Sequence, residues 1–223
     1  MRPRAGALIG GDRGIPTPDE RPGHEVRDRW VYVVTDIEVD GHWPGPNSML
    51  SFASVAVRAD GTRCGVFEAV LERLPGAAAE PGTLAWWQSQ PPEAWAAARA
   101  DPRPAPQVMA DFVAWVATLP RPRTFAASPL AFDGPWMDHY LRRYTRYGLT
   151  QGPDEKDRLF DGPGLCLRSY AAAVLGFPAP ELHASVVPPA WLGDIEHSHR
   201  AIDDAQGYAH LLVELFRRAG VRT

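Results

Sequence analysis

Lysine is almost missing from this chain: Lys156 is the single one among 23 basic residues, and 27 acidic residues leave a formal net charge of −4. That balance excludes a protein that grips long nucleic acid through a broad basic face, though not one that holds a short strand at one end through metal ions. Cysteine is scarce too. Cys64 and Cys166 lie far apart with no CxxC, so neither a zinc knuckle nor a disulfide framework can be built, and both read as ordinary thiols. Long apolar runs are absent: nothing approaches the roughly 18 residues of a membrane span, and Ala5 to Ile9 is too short for the apolar part of a secretion signal. No membrane contact is expected, and a cytoplasmic location is.

What is present is the composition of a folded domain, with 45% apolar and 22% charged residues. Pro and Gly are abundant, at 23 and 20, but carry no functional signal by themselves. Residues 1–28 are rich in Arg, Gly, Pro and Asp without hydrophobic period and predict a flexible leader, leaving 29–223 as one domain. Trp30 to Val34 predicts a buried strand running into Thr35-Asp36-Ile37-Glu38, and Leu50 to Val57 a second strand. Ala59-Asp60-Gly61 predicts a tight turn into a third strand, Cys64 to Leu71, which makes an antiparallel meander. Helices are predicted over Thr83 to Ala100, Ala105 to Leu119, Pro135 to Tyr147, Leu165 to Leu175 and Arg200 to Arg218, with a short strand at Thr124 to Ala127 and a polar, mobile loop over Gln151 to Asp161. The fold class implied is α/β, a mixed sheet flanked by helices.

Chemistry concentrates in carboxylates. Asp36 and Glu38 stand two apart at a strand end, so both point to one face, about 6.5 to 7 Å apart at the backbone. There they can share cations, or simply be a solvated pair. On the last helix Ala201, Ala205, Tyr208, Leu211, Leu212 and Leu215 mark the core face. Asp204 falls in that apolar sector and Asp203 on the polar side. A carboxylate on a buried face needs a partner, and Arg200 at i−4 is the structural alternative to a metal. His199, five residues before Asp204, suits a general base at neutral pH, with His197 as rival and Ser198 placed to cap the helix. Asp133, at the junction of a loop and a helix start, can cap the Pro135 helix or bind metal.

Thr35-Asp36-Ile37-Glu38, Phe132-Asp133 and His199-Arg200-Ala201-Ile202-Asp203-Asp204-Ala205 together resemble, in chain order, the three motifs of the DEDDh 3′-to-5′ exonucleases. The likeness extends to oligoribonuclease, RNase T and proofreading exonuclease domains. With Trp86-Trp87-Gln88-Ser89-Gln90 it is greatest to the small actinobacterial-type exoribonucleases. It implies a ribonuclease H-like fold and catalytic roles for Asp36, Glu38, Asp133, His199 and Asp204. Two departures stand out: Ser128-Pro129 replaces a His-Asn pair, and Val39-Asp40-Gly41 replaces Thr-Thr-Gly.

Oxygen ligands of this kind suit Mg²⁺ or Mn²⁺ better than zinc, and two such ions can activate water, neutralise the phosphorus centre and stabilise the departing oxygen. The expectation is that Asp36 bridges both ions, Glu38 and Asp204 complete one, Asp133 supports the other, and His199 takes the proton. Trp86 or Trp87 would stack on the terminal base of single-stranded RNA, with Gln88 or Gln90 as polar contacts and a nucleoside 5′-monophosphate as product. A homodimer is implied by the resemblance alone. The rivals are a single-stranded DNA exonuclease, a catalytically silent nucleic-acid or nucleotide-binding module of the same fold, and an α/β scaffold with a structural salt-bridge cluster.

Overall fold

Val31–Val39 forms the central strand, β1, of a five-stranded sheet in a computed structural model that describes residues 29–182 and 187–221. The leader expected over 1–28 lies outside the described residues. β-branched Val31, Val33, Val34, Ile37 and Val39 suit a pleated surface covered on both sides, and all five are buried. β1 pairs antiparallel with β2 (Met49–Arg58), and β2 with β3 (Arg63–Val70), so the meander stands as expected. On its other edge β1 runs parallel to β4 (Arg123–Ala127), which runs parallel to the short β5 (Leu165–Cys166). The order β3-β2-β1-β4-β5 is the mixed α/β sheet that the sequence predicts.

Alternation along β1 divides the core. Val33 and Ile37 face α3 (Ala105–Thr118) and α4 (Leu130–Tyr144), where they join Phe52, Phe112, Phe125, Trp136 and Tyr140. Val34 faces the other way, with Ala53, Val55 and Ala126, onto α6 (Ala201–Arg218). That second layer is built from small residues: Ala201, Ala205 and Ala209 recur at i+4 along α6, so its axis approaches the sheet closely. Asp36 and Glu38 share parity with Val34 and therefore point under the start of α6.

Several boundaries differ from expectation for physical reasons. The helix expected over Thr83 to Ala100 is two, α1 (Pro81–Ser89) and α2 (Pro92–Ala97), because Pro91 and Pro92 offer no N–H to continue α1. α4 begins at Leu130 rather than Pro135, so Pro135 lies inside it and Asp133 is a first-turn residue, not the cap of a Pro135 helix. Leu165 and Cys166 are strand before α5 (Leu167–Leu175). The 151–161 segment carries no helix or strand, yet Leu159 and Phe160 are buried and Arg123 Nε donates to the Leu159 carbonyl at 2.9 Å, so its end is anchored to the core rather than loose. Among the described residues no helix is long and apolar enough to cross a membrane.

Candidate active site

Three elements bring four carboxylates to one end of the sheet. β1 carries Asp36 and Glu38, and the β1–β2 register shifts between Glu38 and Val39, a bulge that ends regular pairing where the acids project. α6 enters over them with Asp204 in its first turn, and oxygens of Asp36, Glu38 and Asp204 lie within 4.8 Å of one another. Asp133 comes from the first turn of α4, directly after β4, the parallel neighbour of β1. Crevices beyond the C-terminal ends of parallel strands are where open α/β sheets place their sites.

The chain beyond the bulge is pinned. Asp40 is 1% exposed, accepts the Ser48 N–H at 2.6 Å and pairs with Arg73 Nε at 2.8 Å. In the segment that departs from Thr-Thr-Gly, Asp40 thus anchors the loop leaving the acid pair.

The electrostatics favour a cation. Glu38, Asp133 and Asp204 are 6%, 3% and 4% exposed, which is costly for carboxylates without counter-charges. Among the described residues no Lys or Arg pairs with Asp36, Glu38 or Asp133. Burial, then Asp133, Glu38 and Asp204, drive the Asp36 carboxyl well above its ordinary range. Burial and the charges of Asp204 and Asp133 do the same to Glu38. Burial also lifts Asp133 to about 7, against the pull of its own and the Ile37 backbone amides. A nest of hard oxygen donors that repel one another fits a divalent cation. The residues present therefore suit a divalent metal.

The helix entry sorts the remaining groups. Arg200 does not pair with Asp204: its Nη1 lies 3.5 Å from Asp203 Oδ2, so the salt-bridge alternative for Asp204 fails and Asp203 is the surface partner. Ser198 is not the N-cap, which is Arg200. Its hydroxyl donates to Asp203 at 2.7 Å, and its backbone N–H donates to Asp204 Oδ1 at 3.2 Å. His197 Nδ1 sits 2.9 Å from Asp204 Oδ1, a hydrogen bond that raises its pKa despite burial. His199 shows the reverse shift: burial, then the charge of His197, lower its pKa, which favours the neutral ring. Its φ of 56° turns the chain so that its ring meets Trp86 edge-on at 4.9 Å and His197 at 4.5 Å.

Beside Glu38 opens a groove of about 740 Å³, lined by His42, Thr83, Trp86, Trp87 and Phe132 among others. Trp86 is 41% exposed and offers a ring face. Trp87 is 2% exposed, contacts the rings of Trp86 and Trp95, and donates its Nε1–H to the Val39 carbonyl at 3.0 Å, so it is the groove's floor rather than a stacking platform. Gln90 folds back on the Trp86 carbonyl and Ser89, finishing α1, whereas Gln88 is exposed. Sequence reasoning missed Phe132, 42% exposed on the same groove. It stood next to a motif acid, but its outward face depends on α4 starting at Leu130.

No family model and no curated protein matches the chain. Solved structures do. E. coli exonuclease I in complex with a dT13 oligonucleotide is similar with a TM-score of 0.58 at 17% identity over 86% of this chain and 41% of that one. Its zinc-ion-bound ssDNA complex gives 0.57 at 15% identity over 86% and 41%. Its complex with a dA16 oligonucleotide gives 0.52 at 18% over 84% and 42%. The chain thus spans about two fifths of those proteins' length, and at such identities the likeness establishes the fold they share.

Proposed function

We propose that this chain is a metal-dependent 3′-to-5′ exonuclease that removes nucleoside 5′-monophosphates from single-stranded ends, with RNA as its substrate. The observation that carries the reading is the convergence of Asp36, Glu38, Asp133 and Asp204 from β1, α4 and α6, the first half-buried and the others buried, and among the described residues without cationic side-chain partners except His197 beside Asp204. These four hold Mg²⁺ or Mn²⁺. When bound, the cations supply the charge that acidifies water and neutralises the phosphate.

The chain's own residues supply the rest. His199, with its ring favoured neutral, accepts a proton from the attacking water. The water oxygen bonds to phosphorus and the P–O3′ bond breaks. Its electron pair leaves with the 3′ oxygen of the shortened strand, which takes a proton from solvent. Trp86 stacks on the terminal base, and Phe132, across the groove lining, bounds the space it enters. RNA is assigned on the motif resemblance. A DNA substrate is the second reading, favoured because exonuclease I, similar in fold, carries dT13 and dA16.

Two measurements test this. With 5′-labelled single-stranded RNA and its DNA counterpart, a ladder shortening from the 3′ end is expected with Mg²⁺ or Mn²⁺ and not with chelator. Faster loss of the RNA supports the first reading, faster loss of the DNA the second, and no shortening of either overturns both. Trp86→Ala is expected to raise KM for an oligonucleotide about tenfold, as loss of a base stack worth about 1–3 kcal/mol requires, while Gln90→Ala leaves it within twofold. Steady-state kinetics on the two variants decide it.

A further inference from the structure

A second set of metal-donor atoms adjoins the carboxylates. Ring nitrogens of His197 and His199 and a carboxylate oxygen of Asp204 lie within 4.8 Å of one another, and this group shares only Asp204 with the cluster of Asp36, Glu38 and Asp204. The donors differ in kind. The carboxylate cluster offers oxygen alone, which suits Mg²⁺ or Mn²⁺, whereas two imidazoles and one carboxylate suit Zn²⁺, with a water as fourth ligand. His197 is this chain's own contribution, since the last of the three motifs begins at His199.

Local structure gathers both rings beside the carboxylate. His197, Ser198 and His199 form an irregular segment before α6, and the left-handed turn at His199, with φ of 56°, leaves its ring 4.5 Å from that of His197. His197 Nδ1 is 2.9 Å from Asp204 Oδ1, and the Ser198 N–H holds that same oxygen at 3.2 Å. Tetrahedral zinc with ligands at about 2.0–2.1 Å spaces them about 3.3 Å apart, so His197 and Asp204 would part by about 0.4 Å and His199 close by at most about 1.5 Å. The His197 side chain is 47% exposed, which gives the ion a way in from solvent.

We infer that His197, His199 and Asp204 form a Zn²⁺ site that switches the exonuclease off. Zinc takes His197 Nδ1, and the proton now shared with Asp204 leaves to solvent. It also occupies the lone pair with which His199 accepts the proton of the attacking water, so turnover stops while the hard cations stay on the carboxylates. The inhibition rests on the exonuclease reading. The zinc site does not.

Zinc K-edge X-ray absorption, on protein given equimolar Zn²⁺ in excess Mg²⁺, reads the ligands directly. Two imidazoles at about 2.0–2.1 Å are expected for the wild type, and a single one for His197→Ala and for His199→Asn, which keeps the turn. Zinc affinity, measured in competition with a chromophoric chelator, is expected to fall at least about tenfold in either variant. In the cleavage assay at saturating Mg²⁺, equimolar zinc should stop the wild type, and the remaining activity of His197→Ala should need at least about ten times more. Zinc bound through oxygen alone, or affinity unchanged in both variants, overturns the site. Equal zinc sensitivity of wild type and His197→Ala puts the inhibiting ion among the carboxylates and overturns the switch. If the wild-type protein cleaves nothing with Mg²⁺, the exonuclease reading fails, and the absorption and affinity measurements still decide the site.

Discussion

Asp36→Asn is expected to abolish turnover and, at the same time, to raise the melting temperature of the metal-free chain. The two effects have one cause. Asp36 is pressed by burial and by Asp133, Glu38 and Asp204, so its folded-state pKa lies above its unfolded value. A carboxyl shifted that way binds its proton more tightly in the folded state, so metal-free stability falls as pH rises through the interval between the two values. For Asp133, raised to about 7, that interval ends near neutrality. In chelator the wild-type chain should therefore melt higher at pH 6 than at pH 8. Asn keeps the shape of Asp36 but removes the charge, which relieves its neighbours and flattens that slope. Each kcal/mol relieved is worth about 2–4 °C in a chain of this size. With Mn²⁺ or Mg²⁺ the order inverts: saturation at about 100 times Kd adds about 2.7 kcal/mol to the wild type and far less to the variant. Turnover should drop at least about 10³-fold, since the lost ligand belongs to the group that stabilises charge in the transition state. Scanning calorimetry at both pH values, with chelator and with metal, checks the stability half. A variant that melts lower than wild type in chelator at pH 8 would contradict the crowded-carboxylate account.

The parts of this site written in local pattern were legible in the sequence, and the parts that depend on packing were not. The period of β1 was enough to place Asp36 and Glu38 on one face, and the apolar stripe of α6 was enough to put Asp204 inward and Asp203 outward. Both are single-element facts. Whether Trp86 or Trp87 faces a ligand depends on which ring finds a buried acceptor, and the Val39 carbonyl that takes the Trp87 N–H lies on another element. The start of α4 at Leu130, which fixes the orientation of Phe132, was hidden by Pro135, a residue that usually opens helices. Asp40 read as part of a departure from a motif. Its bond to Arg73, far along the chain, makes it an anchor, and no local pattern announces such a pair. The division between His197 and His199 was open for the same reason, because it rests on which ring reaches Asp204.

That division supplies the second large effect. His197 donates to Asp204 and is already committed, whereas the His199 ring makes no hydrogen bond among the described residues and its pKa is lowered, the condition for accepting a proton at neutral pH. Replacing His199 should cost about 10² to 10⁴ in kcat, the usual worth of a positioned general base, with KM little changed. The choice of replacement matters because His199 has φ of 56°, a left-handed conformation that Ala adopts at a cost of about 1–2 kcal/mol and Asn adopts readily. His199→Asn preserves the turn into α6 while removing the base, so its loss of kcat reports chemistry rather than a displaced Asp204. His197→Ala should lose only about tenfold, raise the metal concentration needed for half-maximal rate, and move the acid limb of the kcat/KM profile upward in pH, because the charge of His197 is part of what holds His199 down. Rate profiles from pH 5 to 9 for His199→Asn and His197→Ala separate the roles. A His197 variant more damaged in kcat than His199→Asn, at saturating metal, would transfer the proton to His197 and leave His199 a ring packed against Trp86.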